Sequence, residues 1–342
     1  LITGLSGSAK TLLMAGALQK THQKIVIAVP NLYYANQLVD DFLNILPSEQ
    51  VHLFPVDEVL SAEMAFSSPE ARADRVSALN FLMTANAGIV VVPVAGLRKY
   101  LPTKETWQNA QLHWEIGTEV EPEILAQRLV LMGYERQSMV GKPGEFSIRG
   151  SIIDVYPLNA EYPVRVELFD VEIDSIRYFE ADTQRSLENL EEVTISPMTD
   201  LVFSKADMNH GMMRLQDALE KRLATAKDQT ETDFLEEYFG QLLSSWEQGI
   251  PTENAHYYTD FLYQQKTTLL DYLPENSLLF VDDYSRMMET EREIAREEAE
   301  WQTLKIEEMR VFSEQTFGVD FHDQLRKTAR NTTFFSLFQK GM

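Results

Sequence analysis

Gly4-Leu5-Ser6-Gly7-Ser8-Ala9-Lys10-Thr11 follows the short run Leu1-Ile2-Thr3 and leads into a helical pattern over Thr11–Lys20. Strand, glycine loop and helix in that order open a P-loop α/β domain, whose loop reads G-x-x-x-x-G-K-[ST]. Gly4, Lys10 and Thr11 are in place, with Gly7 inside the loop, but the glycine before the lysine is Ala9. That glycine lets backbone N–H groups turn inward around phosphate oxygens, and a Cβ there costs strain or displaces the phosphate. The run therefore decides the fold class and leaves open whether the chain is an ATPase or the remains of one.

The alternation continues outward from this loop. Strands are predicted at Lys24–Val29, Val51–Leu53 and Gly88–Pro93, and helices at Leu32–Leu46 and Pro69–Met83, the latter started by Ser67-Ser68 before Pro69-Glu70. Ile-Val-Val-Val at 89–92 is the continuous apolar type of a parallel strand covered on both faces. Near Pro102 the pattern changes. A helix over Pro122–Met132 precedes short strands at Phe146–Arg149, Ser151–Tyr156, Val164–Phe169 and Glu172–Phe179, divided by Arg149-Gly150, Asn159-Ala160 and Asp170. After Pro197 the chain turns helical and acidic over Asp207–Gln248 and Met287–Arg310, broken by a strand at Ser277–Val281. The expected organisation is a parallel-sheet P-loop-like α/β domain (1–105), an inserted small antiparallel α+β domain (106–198) and a mostly helical continuation of the first domain (199–342). Strand 277–281 is expected to return to the parallel sheet.

Bulk properties narrow the function. The 342 residues suffice for two or three domains, and a start at Leu1 inside a strand reads as a piece of something longer. No apolar run has the length of a membrane span, and no signal peptide is visible. Cysteine is absent, which excludes disulfides and thiolate metal sites and fits a cytoplasmic location. The six histidines are scattered without metal-ligand spacing, so no metal site is expected. A net charge of −23 repels a phosphate backbone unless basic residues cluster locally. The run Glu289–Glu300 reads as a solvated helix of mixed charge, and the aromatic residues of Phe261–Tyr272 read as core.

Two constellations carry chemistry. The first completes the P-loop. Leu278-Leu279-Phe280-Val281-Asp282-Asp283 has the form of a Walker B strand, with Asp282 where a Mg²⁺ ligand belongs and Asp283 in place of the water-activating Glu. Both halves are present and both are degraded, which points to descent from an ATPase with no catalytic residue of its own. The alternative is a divergent but working ATP-binding, helicase-like domain using Lys10, Thr11 and Asp282.

The second lies in the inserted domain. Strand alternation puts Phe146 and Ile148 on one face and Ser147 and Arg149 on the other. Val164, Val166 and Leu168 share a face opposite Arg165, Glu167 and Phe169. An exposed aromatic ring beside arginines is an interface anchor. The competing reading packs Phe169 under the hairpin and pairs both arginines with Glu145, Glu167 or Glu172.

Gly144-Glu-Phe-Ser-Ile-Arg-Gly-Ser-Ile-Ile-Asp-Val-Tyr-Pro157, Pro163-Val-Arg-Val-Glu-Leu-Phe-Asp-Val-Glu-Ile-Asp-Ser-Ile-Arg177 and Asp182-Thr-Gln-Arg-Ser-Leu187 closely resemble the N-terminal region of the bacterial transcription-repair coupling factors. The Gly4–Thr11 loop and the Ser67–Arg75 segment look like Gram-positive members. The resemblance implies a module similar to the excision-nuclease protein UvrB, binding the damage-recognition protein UvrA through the inserted domain. It places the family's UvrA-binding residues on Arg149, Arg165 and Phe169, the arginines meeting carboxylates and the ring filling an apolar pocket. ATP, Mg²⁺, DNA translocation and RNA polymerase binding would belong to other regions of the full-length protein, with no cofactor in this segment. A later domain would mask the UvrA-binding face. Two departures from the UvrB pattern favour a non-catalytic role. One is Ala9. The other is the short stretch between Val51 and Pro69, which has Asp57-Glu58 where UvrB carries a long aromatic hairpin that clamps DNA.

Overall fold

The computed structural model describes residues 1–336 apart from 6, 58–67, 85–86, 159, 251, 253 and 329–330. Ser6, Glu58, Ser67 and Asn159, named above, thus lie outside the described residues. The chain forms two compact units, Leu1–Thr103 with Phe203–Met342, and Lys104–Val202 between them in sequence.

The first unit is an α/β domain. Its sheet runs in the order Ile2–Thr3, Asn331–Ser336, Leu278–Asp282, Lys24–Val29, Gly88–Pro93, Val51–Leu53, with every pairing parallel. The aliphatic runs Ile25–Val29 and Ile89–Val92 are fully buried at its centre, as continuous apolar strands require. Leu278–Asp282 returns to this sheet beside Lys24–Val29, with Leu278 opposite Ile25. The strand Asn331–Ser336 was not visible in the sequence. Asn-Thr-Thr-Phe-Phe-Ser has neither an aliphatic run nor a period of two, and it is a strand because strands flank it on both sides.

Local chemistry starts the helices where the sheet needs them. Ser68 Oγ accepts from Ala71 N at 3.1 Å ahead of Pro69–Met83, and Asn31 Oδ1 accepts from Tyr34 N at 3.1 Å ahead of Leu32–Leu43. The acidic stretch after 200 is a helical hairpin, Lys205–Leu223 and Gln229–Glu247, packed through Leu215, Leu235, Phe239 and Trp246 on Tyr258, Phe261 and Phe312. Phe261, Leu262, Tyr263, Leu269, Leu270 and Tyr272 are buried.

The helix Tyr284–Glu307 corrects one expectation. Its Glu-rich run is not wholly solvated. Glu291, Ile294 and Glu298 fall on one face at helical spacing. Arg98 donates from Nη1 to Glu291 Oε1 at 3.1 Å and from Nη2 to Glu298 Oε2 at 2.6 Å. Glu291 Oε1 also accepts from Phe321 N at 2.7 Å.

The second unit is a sheet in the order Ser186–Leu190, Glu172–Phe179, Val164–Phe169, Ile152–Val155, Glu145–Arg149, Glu135–Arg136, antiparallel up to its last, parallel pair. Leu112–Glu115 and Glu192–Ile195 form a separate antiparallel pair. One face of the sheet, with Phe146, Ile153, Val155, Val164, Val166 and Ile176, packs on Leu125 and Leu129 of helix Pro122–Leu131. The opposite face carries the polar residues.

Candidate partner-binding face and the degenerate phosphate loop

On the polar face of the second unit, Asp154 stands directly opposite Arg165 and Ser147, and Arg165 opposite Arg177. Directly opposed residues project to the same side. Arg165 makes a two-pronged bond to Asp154, Nε to Oδ1 at 2.7 Å and Nη2 to Oδ2 at 2.8 Å. Arg149 Nη2 donates to the same Oδ2 at 2.7 Å. The Asp154 side chain is 1% exposed, that of Arg165 11%, and that of Arg149 41%. A carboxylate so removed from water requires such partners, and charge-assisted forked bonds are the strongest available.

Phe169 is 79% exposed. It ends its strand opposite Glu172, before a tight turn in which Asp170 takes a left-handed φ of 61°. Gly150, with φ of 62°, turns the chain between Arg149 and Ile152, where a side chain would be strained. Ile152 lies opposite Glu167, and Leu168 N donates to Ser151 O at 2.8 Å. Both turns therefore lie at the same end of the sheet, and Arg149 and Phe169 come from them on the same face.

Neither sequence reading anticipated the partners. Phe169 does not pack under the hairpin. Glu145 accepts instead from Gly141 N and Lys142 N at 2.8 and 3.1 Å. Glu167 pairs with Arg177, whose hydrogen bond holds the Glu167 carboxyl below the usual carboxylate range. The residues missed were Asp154 and Gln184. Asp154 had one visible signal, a lone acid inside the apolar strand Ile-Ile-Asp-Val at a position sharing a face with Arg149.

In the first unit, the structure brings together Lys10 and Asp282. Lys10 Nζ lies 2.5 Å from Asp282 Oδ1. Gly7, with φ of 52°, caps the helix Ser8–Thr21, and Ala9 is exposed in its first turn rather than packed across the loop. Gly4 has φ of 79° and donates its N–H to Ser336 O at 3.1 Å. Thr11 is buried and its hydroxyl faces Asp41 Oδ2 at 3.4 Å. Asp283 caps the helix Tyr284–Glu307 in a left-handed conformation, accepting from Arg286 N at 3.3 Å. Gly4, Lys10, Thr11, Asp282 and Asp283 each hold a partner inside the chain. Among the described residues, no cluster of His, Asp and Glu has the geometry of a metal site, and no helix is long and apolar enough to cross a membrane.

Comparison with known proteins matches residues 112–201 to the UvrB interaction domain. The chain is 38% identical over 338 residues to the transcription-repair-coupling factor of Bacillus subtilis, covering 99% of this chain and 29% of that protein. It is 33% identical over 350 residues to that of Staphylococcus aureus, covering 100% of this chain and 29% of that protein. The chain thus spans less than a third of the length of these relatives. With the UvrB interaction domain coinciding with the second compact unit and the similarity running through both, the chain is homologous to the bacterial transcription-repair-coupling factors.

Proposed function

We propose that this chain is the UvrB-like N-terminal module of a transcription-repair-coupling factor. Its inserted domain recruits UvrA to stalled RNA polymerase in transcription-coupled nucleotide-excision repair. The observation that carries this reading is Phe169, a large apolar side chain 79% exposed at a turn tip, on the same face as an arginine anchored to a buried aspartate. A ring held out in water is the kind of anchor that an apolar pocket on a partner takes up, and a guanidinium on the same face suits a carboxylate rim. ATP hydrolysis, DNA translocation and polymerase contact are assigned to the rest of the full-length protein, and masking of the face to a later domain. Titration calorimetry with purified UvrA tests the reading. Phe169→Ala and Arg149→Ala are each expected to weaken binding by at least roughly tenfold with the thermal melt unchanged. Wild-type affinity in both would end the proposal.

The divergent nucleotide-binding reading retains one observation in its favour, the convergence of Lys10 and Asp282.

A further inference from the structure

Arg149, Arg165 and Phe169 are not equivalent in their surroundings. Phe169 and Arg149 are exposed at 79% and 41%, whereas Arg165 is covered to all but 11% of its side chain. A guanidinium has five N–H hydrogens. In Arg165 the Nε hydrogen goes to Asp154 Oδ1, and the two on Nη2 go to Asp154 Oδ2 and to Gln184 Oε1 at 2.7 Å. Its flat face lies on the buried Phe179 ring, 4.2 Å from the centroid. Among the described residues, only its Nη1 hydrogens have no acceptor.

We infer that Arg165 is a positioning residue. Gln184, Arg165 and Asp154 form an internal strut that holds Arg149 on the face that carries Phe169, and Arg149 and Phe169 make the contact with UvrA. The inference rests on the proposed role of this face.

The strut is continuous. Gln184 has a left-handed backbone, φ 59°, and its Nε2 donates to Ala181 O at 2.7 Å, so the amide is oriented with Oε1 toward Arg165. This gives the Asp182-Thr183-Gln184-Arg185 turn a part in the site through the Gln184 amide. Asp154 then divides its carboxylate between the two arginines, Oδ2 serving both. Arg149 spends one N–H on this bond and keeps the others in a side chain 41% exposed. One tethered Nη2 restrains the position of the group and leaves its other N–H donors for forked recognition of a carboxylate. Without Arg165 the buried Asp154 keeps only the half-exposed Arg149, and the tether is lost or turned inward.

The test is a double-mutant cycle on the whole chain with UvrA as ligand, read by calorimetry. Arg165→Met and Asp154→Asn are each expected to weaken binding by at least roughly tenfold. The double variant is expected to bind no more weakly than the weaker single, because both act through one strut. Losses that multiply would mean that Arg165 touches UvrA itself and would overturn the inference. A second readout needs no UvrA. The Arg149 Nη–Hη signals in a low-temperature ¹H–¹⁵N spectrum are expected away from the free-arginine position, and to return there in Asp154→Asn while the backbone amide pattern is kept. A free-arginine signal in the wild type would also overturn it. Should Asp154→Asn unfold the domain, Gln184→Ala carries the test, with the same signal expected to move and an unmoved one counting against the strut. If instead Arg149→Ala and Phe169→Ala bind UvrA as wild type, the docking role fails, and the spectrum still decides on the strut.

Discussion

Lys10 Nζ and Asp282 Oδ1 are 2.5 Å apart, in side chains 15% and 20% exposed. A nucleotide phosphate would have to take the lysine from this carboxylate, and Mg²⁺ would have to take the carboxylate from the lysine. Thr11 and Asp283, the other groups of such a site, are engaged on Asp41 and on the cap of helix Tyr284–Glu307. Titration with labelled ATP and Mg²⁺ is therefore expected to give no saturable binding below about 1 mM, a level worth only about 4 kcal/mol. Saturable binding abolished by Lys10→Ala would establish the nucleotide-binding reading instead. The sequence reading paired Lys10 with Asp282, and the two side chains meet. It did not reveal Asp283 as a helix cap, because that role depends on a left-handed φ which an aspartate adopts only in a particular tertiary setting.

At the scale of elements, helix Tyr284–Glu307 is tied to the segment that follows strand Gly88–Pro93 by one buried cation, Arg98, between two acids. Removing one partner of a buried ion pair costs about 3–5 kcal/mol, because the other charge stays buried. Arg98→Ala is expected to destabilise the chain by about that much in urea unfolding. Glu298 behaves differently. Burial pushes its carboxyl above the ordinary 4.5, with Arg98 opposing. An acid raised in the folded state lends stability that is present below its unfolded pKa and lost as pH rises through the folded one. Stability should therefore fall as pH rises from 4.5, and Glu298→Gln is expected to flatten that fall while keeping an acceptor for Arg98. An unchanged pH profile of the melting temperature would refute this. Long elements were legible, since aliphatic runs at 25–29 and 89–92 and capped periodic stretches specify themselves locally. The strand Asn331–Ser336 and the inward face of the Glu-rich helix were not, because each depends on what lies beside it.

For the whole molecule, residues 104–202 carry their own core, Trp114, Leu129, Phe146, Val164 and Ile176 among it. Leu112–Glu115 pairs antiparallel with Glu192–Ile195, so the two ends of the segment come together. A unit closed in this way folds without the chain that precedes and follows it. Excised Lys104–Val202 is expected to unfold in urea in one cooperative transition and to match the whole chain in a UvrA titration, as the proposed docking role requires. A broad melt without a transition would count against it.

By itself the sequence determined the α/β class, the position of the long elements, and which side chains of the central inserted strands share a face. All three follow from periodicities of two and 3.6 and from local turn and cap chemistry. Only the tertiary structure decided which charge meets which. Arg165 reaches Asp154 across 11 positions, Gln184 across 19, Arg98 reaches Glu291 across 193, and Lys10 reaches Asp282 across 272. Partner choice at such separations depends on strand register and on the removal of water, and neither is a property of neighbouring residues in the chain. For that reason three residues that look alike in sequence divide into an exposed ring, a tethered arginine and an internal strut.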